Sequence, residues 1–238
     1  MLTAVPLPDQ PLTILWQSTL IDIEPGSRYG YRNDAAAINT TLAIVNNTGA
    51  DLTFPLILAT TDPEDRDPTH RQVRIASDTP ALDPVEVDTE WETLANAIRA
   101  NASVQGHPPE RVEHYLDRLR RSVRRAHKSE QITLPAGEQR FIRTHQRKLL
   151  REREGAFEFR GIFPLPQFVL ATGGTLSVAV AVPRSVQRFS VDLLDWTRQF
   201  SPQAFGKDPG LPLVGGRYLV SWFWQNDPEL FVAYRYGG

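Results

Sequence analysis

A mainly β fold, an antiparallel β-sandwich or jelly-roll-like arrangement with an inserted amphipathic helical hairpin, is what the sequence predicts. Three observations predict it. Apolar residues alternate with a period of two through most of the chain. Turn-forming clusters of Gly, Pro, Asn and Asp separate those stretches at short intervals. A helical period interrupts the alternation once, between residues 88 and 127.

The clearest strand is 176–182, where Leu176, Val178, Val180 and Val182 share one face and Ser177, Ala179 and Ala181 the other; Gly173, Gly174 and Pro183 bracket it as turns. Ile38, Thr40, Leu42 and Ile44 alternate up to Asn46-Asn47-Thr48-Gly49, and Leu52, Phe54, Leu56 and Leu58 alternate after it, which reads as an antiparallel hairpin. Pro55 has no amide hydrogen, so the second strand is expected at a sheet edge or with a bulge. A second hairpin is expected at the C-terminus: Tyr218, Val220, Trp222 and Trp224 line one strand, Asn226-Asp227-Pro228 turns, and Leu230, Val232, Tyr234 and Tyr236 line the return. Further strands are expected over 12–23, 131–134, 139–144, 156–163 and 187–194, with a turn at Pro135-Ala136-Gly137. About ten strands with short connections suit a sandwich or jelly roll.

The helical interruption has two parts. Trp91, Leu94, Ala95 and Ile98 fall on one face of a helix over 88–102, with Asp88 or Thr89 as N-cap and Glu90 and Glu92 in the first turn. After Gln105-Gly106-His107-Pro108, Val112, Tyr115, Leu116, Leu119 and Val123 repeat at helical spacing, predicting a second helix from Pro109 to near His127. Strands precede and follow the pair, so residues 1–238 are read as one domain with 88–127 inserted in it.

Composition excludes several chemistries. The 238 residues contain no cysteine, so disulfides, zinc thiolates, iron-sulfur ligation and a cysteine nucleophile are ruled out. No apolar run reaches the length of a membrane span, and the first ten residues lack the pattern of a secretory signal, so a cytoplasmic protein is expected. The net charge of −2 conceals an uneven distribution: residues 111–153 carry 13 Lys and Arg against 5 Asp and Glu, a net of +8, leaving −10 on the remainder. Arg118, Arg121, Arg125, Arg147 and Lys148 form the candidate surface for a polyanion or protein partner, since arginine's planar fork favours carboxylate and phosphate. Charge runs are also commonly paired or solvated faces, and a net-acidic chain lacks the long-range attraction of nucleic-acid binders.

Other candidate sites are sparser. Asp62, Glu64, Asp65 and Asp67 gather hard oxygen ligands that could hold calcium or magnesium, without the glycine and distal glutamate of an EF-hand. The five histidines, His70, His107, His114, His127 and His145, follow no metal-binding pattern. A Gly-x-Ser-x-Gly elbow is absent; Ser190 and Asp192 share one expected strand, Ser221 lies on another and His145 on or just beyond a third. Glu158 and Asp192 can be nominated as a carboxylate pair. Trp222, Trp224, Tyr234 and Tyr236 could stack a sugar, but share a face with aliphatics that usually points inward; Phe223 and Phe231 on the other face suggest cover by a second sheet or a partner. No cofactor is implied, and the absence of a complete catalytic motif points away from an enzyme. The leading expectation is a structural or protein-interaction protein, an assembly or homo-oligomer component. Polyanion or nucleic-acid binding through 111–153 and carbohydrate binding are the alternatives.

Overall fold

A computed structural model describes residues 2–5, 12–61, 74–75, 82–85, 87–104, 108–150, 152–162, 170–184, 186–194, 211–213, 216–224 and 229–237. The first half supplies β1 (Leu2–Val5), β2 (Leu12–Glu24), β3 (Asp34–Asn46), β4 (Leu52–Thr61), β5 (Arg74–Ile75) and β6 (Leu82–Val85). Two helices follow, α1 (Val87–Val104) and α2 (Pro109–Ser122). The remainder is β7 (Val123–Leu134), β8 (Gln139–Leu150), β9 (Glu152–Arg153), β10 (Ala156–Ile162), β11 (Leu170–Val182), β12 (Val186–Leu194), β13 (Leu211–Leu213), β14 (Arg217–Trp224) and β15 (Glu229–Tyr236). The chain is mainly β.

These strands form three sheets: a seven-stranded one ordered β13-β14-β11-β2-β3-β8-β5, and two four-stranded ones ordered β1-β4-β7-β6 and β12-β15-β10-β9. Among the described strands pairing is antiparallel except between β2 and β11, which run parallel. One continuous apolar core takes side chains from all three sheets, among them Ile21, Ile38, Leu42, Val178 and Val180 of the large sheet, Phe54 and Leu134 of one small sheet, and Phe159, Val232 and Tyr234 of the other. The alternation expected for 176–182 is realised, with Leu176, Val178, Val180 and Val182 all buried. Gly173 and Gly174 do not bound that strand; they lie inside β11, where its register against β2 shifts between Leu170 and Thr175.

Both expected hairpins are instead corners between sheets. β3 pairs with β2 and β8, whereas β4 pairs with β1 and β7, so the chain crosses from the large sheet to a small one at Asn46. β7 and β8 make the same crossing beside it. Asn46 locks the two corners together: its Nδ2 donates to the carbonyls of Ala50 (2.9 Å), Leu134 (2.9 Å) and Pro135 (3.1 Å), while its Oδ1 accepts from Thr48 N (2.9 Å) and Thr48 Oγ1 (2.6 Å). Backbone bonds from Asn46 N to Glu138 O and from Gly137 N to Asn46 O complete the joint. Likewise β14 pairs with β11 and β13, and β15 with β10 and β12. Alternation reports which face of a strand is buried, and inward faces alternate identically in a hairpin and in a corner joining two packed layers. Pro55 coincides with a register shift between β4 and β7, the bulge its missing amide predicts.

The helices pack on each other through Trp91, Leu94, Ala95, Ile98 and Ala102 of α1 and Val112, Leu116 and Leu119 of α2, a cluster separate from the main core. Each buried Leu or Ile there contributes about 1.5–3 kcal/mol. Arg99 clamps Glu113 across the pair (2.7 and 3.1 Å), and Arg120 pairs with Asp88 while its guanidinium lies 5.4 Å from the Trp91 ring centroid. The second helix stops at Ser122, not near His127. Val123 fits both periods, but from there the backbone is bonded to β4 and, from Ala126, to β6 on the other side, and these ladders override the good helix propensity of the arginines.

Candidate functional site

The most distinctive site lies in the connection between β2 and β3. Pro25 cannot extend the β2 ladder, and residues Gly26–Tyr29 form one 3-10 turn, held by Arg28 N to Pro25 O (3.3 Å) and Gly30 N to Ser27 O (3.4 Å) and capped by Tyr31 N to Gly26 O (3.1 Å). Gly30 follows at φ 86°, a left-handed conformation glycine adopts without strain. Gly26 admits no side chain, because a Cβ there would come within 2.5 Å of the Asn33 carbonyl oxygen.

Asp34, fully buried at the start of β3, pins this loop. Its Oδ1 accepts from Ser27 N (2.9 Å) and Ser27 Oγ (2.6 Å), and its Oδ2 accepts from the hydroxyls of Tyr234 and Tyr236 (2.6 Å each). A buried carboxylate is tolerable only when its oxygens are saturated in this manner. Burial, reinforced by hydrogen bonding to Asp34 and by its negative charge, pushes both phenols well above the usual tyrosine range. Tyr234 stacks on Phe157 (5.4 Å between centroids), and the Arg28 guanidinium covers Tyr236 at 4.9 Å while donating to the Arg184 carbonyl (3.4 Å). Loop, β3 and the last strand are thereby one rigid unit.

The loop lines a cleft of about 580 Å³, formed by Glu24, Tyr29, Tyr31, Arg32, Arg147 and Leu149 with Pro25, Gly26 and Asn33. Tyr29 and Tyr31 are 76% and 73% exposed, the largest exposures among the apolar side chains of the described residues. Arg147 Nε and Nη2 both donate to Glu24 Oε2 (3.2 and 2.8 Å), leaving Glu24 Oε1 outside the pair. Two aromatic faces, two guanidiniums, one carboxylate and an aliphatic floor are equipment for binding.

A second polar locus crosses the core face of the large sheet. Thr19, Thr40 and Thr144 are register neighbours on β2, β3 and β8, buried together with Gln17 and Gln146. Thr19 and Thr40 share a hydrogen bond (3.1 Å), and Gln146 Oε1 has no protein partner.

Of the five basic residues singled out in the sequence, the three with described side chains, Arg121, Arg147 and Lys148, each have a partner. Arg121, near the end of α2, pairs with Asp117 (2.9 Å); Arg147 pairs with Glu24; and Lys148 Nζ lies 5.4 Å from the Phe159 ring centroid. Arg118 is on α2 and Arg125 on β7, with side chains outside the described residues. Of the three with described side chains, Arg147 lines the cleft. Trp222, Phe223 and Trp224 belong to β14, their side chains likewise outside the described residues; Phe231 is half-buried on β15, and Tyr234 is core. Asp62, Glu64, Asp65, Asp67, His70 and His107 lie outside the described residues, among which no cluster of metal-ligating side chains occurs. His145 Nδ1 contacts Asn39 Oδ1 (2.8 Å), and His114 is exposed on α2. Ser221 is on β14 and Ser190 on β12, in different sheets, while Glu158 and Asp192 lie on β10 and β12 with β15 between them.

Tyr29, Tyr31 and Asp34 belong to no motif or periodic pattern in the sequence. The available signal was Gly26-Ser27-Arg28-Tyr29-Gly30-Tyr31-Arg32-Asn33-Asp34, two tyrosines inside a glycine-bearing turn where apolar rings are out of place.

No protein-family profile matches the chain, and no curated protein matches it. Among solved structures it is similar to a protein provisionally described as a nutrient binding protein from Legionella pneumophila, with a TM-score of 0.56 and 10% identity over 97% of this chain and 69% of that one. It is also similar to an M1 zinc metallopeptidase from Deinococcus radiodurans, with a TM-score of 0.44 and 11% identity over 95% of this chain and 43% of that one. The first likeness shows a shared fold; the second spans less than half of the peptidase.

Proposed function

We propose that the chain is a β-sandwich protein-interaction module whose binding surface is the cleft lined by the 25–33 loop. The observation that carries this reading is the pairing of a rigid anchor with exposed rings: Asp34, itself held by the Tyr234 and Tyr236 hydroxyls, accepts two hydrogen bonds from Ser27 of a loop that leaves Tyr29 and Tyr31 about three-quarters exposed. Exposing two tyrosines is unfavourable for an isolated protein, whereas preorganised tyrosines beside arginines are what interface anchors require. The helical insertion is a weaker candidate for the contact surface, because its apolar stripe is consumed by its own packing and Arg99, Arg120 and Arg121 are paired within it. The sandwich description is supported by the single core to which all three sheets contribute.

Photo-crosslinking tests the proposal. A benzoylphenylalanine at position 29 or 31 of the full chain is expected to capture a defined protein species in the native host, and the same reporter at Glu130 on β7 is not. Equal capture at all three positions, or none, would refute it.

A further inference from the structure

We infer that the cleft recognises an acidic peptide segment of a partner protein, with Arg32 and Arg147 taking the carboxylates and Tyr29 and Tyr31 packing on the adjoining residues. This rests on the interaction reading above and names the chemistry of its partner.

Charge points to it first. Arg32 lines the cleft with no ion-pair partner among the described residues, and Arg147 faces the same space. Against these two guanidiniums the described lining offers one carboxylate, Glu24, so it is net positive on a chain whose net charge is −2. The Arg147–Glu24 contact shows that this guanidinium edge is open to a carboxylate. It already seats a carboxylate on the guanidinium edge, but through one oxygen only, whereas a free carboxylate approaching from the cleft can take both N–H groups in parallel. Glu24 therefore acts as an internal competitor held at low strength: Arg147 and Glu24 side chains are each about half exposed, at 51% and 48%. Nucleic acid is disfavoured because the acidic remainder of the chain repels an extended polyanion, while a short acidic segment meets only the local field. The cleft's 580 Å³ suits a few side chains.

Selection of a displayed random dodecapeptide library on the immobilised full chain tests this directly. Enriched sequences are expected to carry Asp or Glu beside an apolar residue. A synthetic copy of an enriched peptide should bind at least tenfold more tightly than its Asn/Gln counterpart. Binding should fall at least tenfold in the Arg32→Glu, Arg147→Glu double variant, stay unchanged in Arg121→Glu, and tighten about threefold in Glu24→Gln as the competitor is removed. Enrichment without acidic residues, no enrichment, or equal loss with Arg121→Glu overturns the inference. So does tighter binding of a single-stranded oligonucleotide than of the peptide, which would reassign the cleft to phosphate. Light scattering at low salt covers the remaining occupant: self-association abolished by Arg32→Glu would assign the cleft to a second copy of the chain. Crosslinking at positions 29 and 31 with no acidic preference would leave the interaction reading standing and remove only this one.

Discussion

Replacing Asp34 by alanine should destabilise the protein by about 2–5 kcal/mol, through the anchor rather than through lost core volume. The sum runs over four donors. Tyr234 is 1% exposed, so its hydroxyl cannot reach water once the carboxylate is gone, and a buried donor left unpaired costs about 1–3 kcal/mol. Ser27 N, Ser27 Oγ and the Tyr236 hydroxyl are half-buried and can turn to water, so together they lose about 1–2 kcal/mol of charge-assisted bonding. In a chain of this size that total lowers the melting temperature by roughly 10 °C. Asp34→Asn should cost less, about 1–2 kcal/mol, because the amide keeps one acceptor oxygen for Ser27 and its two N–H groups can be accepted by phenol oxygens that reverse their role. Urea unfolding midpoints measure both changes. Limited trypsin digestion supplies a second, local readout, since release of the loop should accelerate cleavage after Arg28 and Arg32 in the alanine variant and much less in the asparagine one. A loss under about 1 kcal/mol with unchanged digestion would refute the assignment of Asp34 as the anchor.

Three further outcomes are expected. Asn46→Ala removes five side-chain bonds at the double corner and leaves the buried Leu134 carbonyl short of a donor, costing about 3 kcal/mol in urea unfolding; Asn46→Asp, which places acceptors against three carbonyls, should be no better. Tyr234 and Tyr236 have folded-state pKa values raised by burial and by Asp34, so their contribution is fully present below about pH 10 and is lost as pH rises beyond it, when the unfolded chain releases protons the folded one retains. The fall in stability above pH 10 should be shallower by about 1.4 kcal/mol per pH unit in Tyr234→Phe, and an unchanged slope would mean that Tyr234 ionises freely in the fold. Finally, Glu154 (φ 51°) and Gly155 (φ 75°) form the two-residue turn between β9 and β10 in the geometry that favours Asn-Gly, so Glu154→Asn should raise stability by about 0.5–1 kcal/mol, readable as a small rise in melting temperature.

How much of the site was legible follows from what each residue depends on. Arg147 could be nominated from charge alone, yet its role was unreadable because Glu24 lies 123 positions earlier in the chain. Asp34 gave no local sign of its importance: two of its donors come from seven residues upstream and two from about 200 residues downstream, on a strand in another sheet. Arg121 and Arg120, conspicuous as charge, turned out to be occupied by Asp117 and Asp88.

The sequence by itself determined the β-rich class, the faces of strands such as 38–44 and 176–182, and the existence of two amphipathic helices, because periodicity is a local property that burial enforces residue by residue. Tertiary structure alone decided which strands share a sheet, where α2 yields to β7, and which of many polar residues converge. Strand pairing and side-chain convergence depend on contacts between distant segments, and a carboxylate such as Asp34 acquires its function only when the fold brings its donors to it.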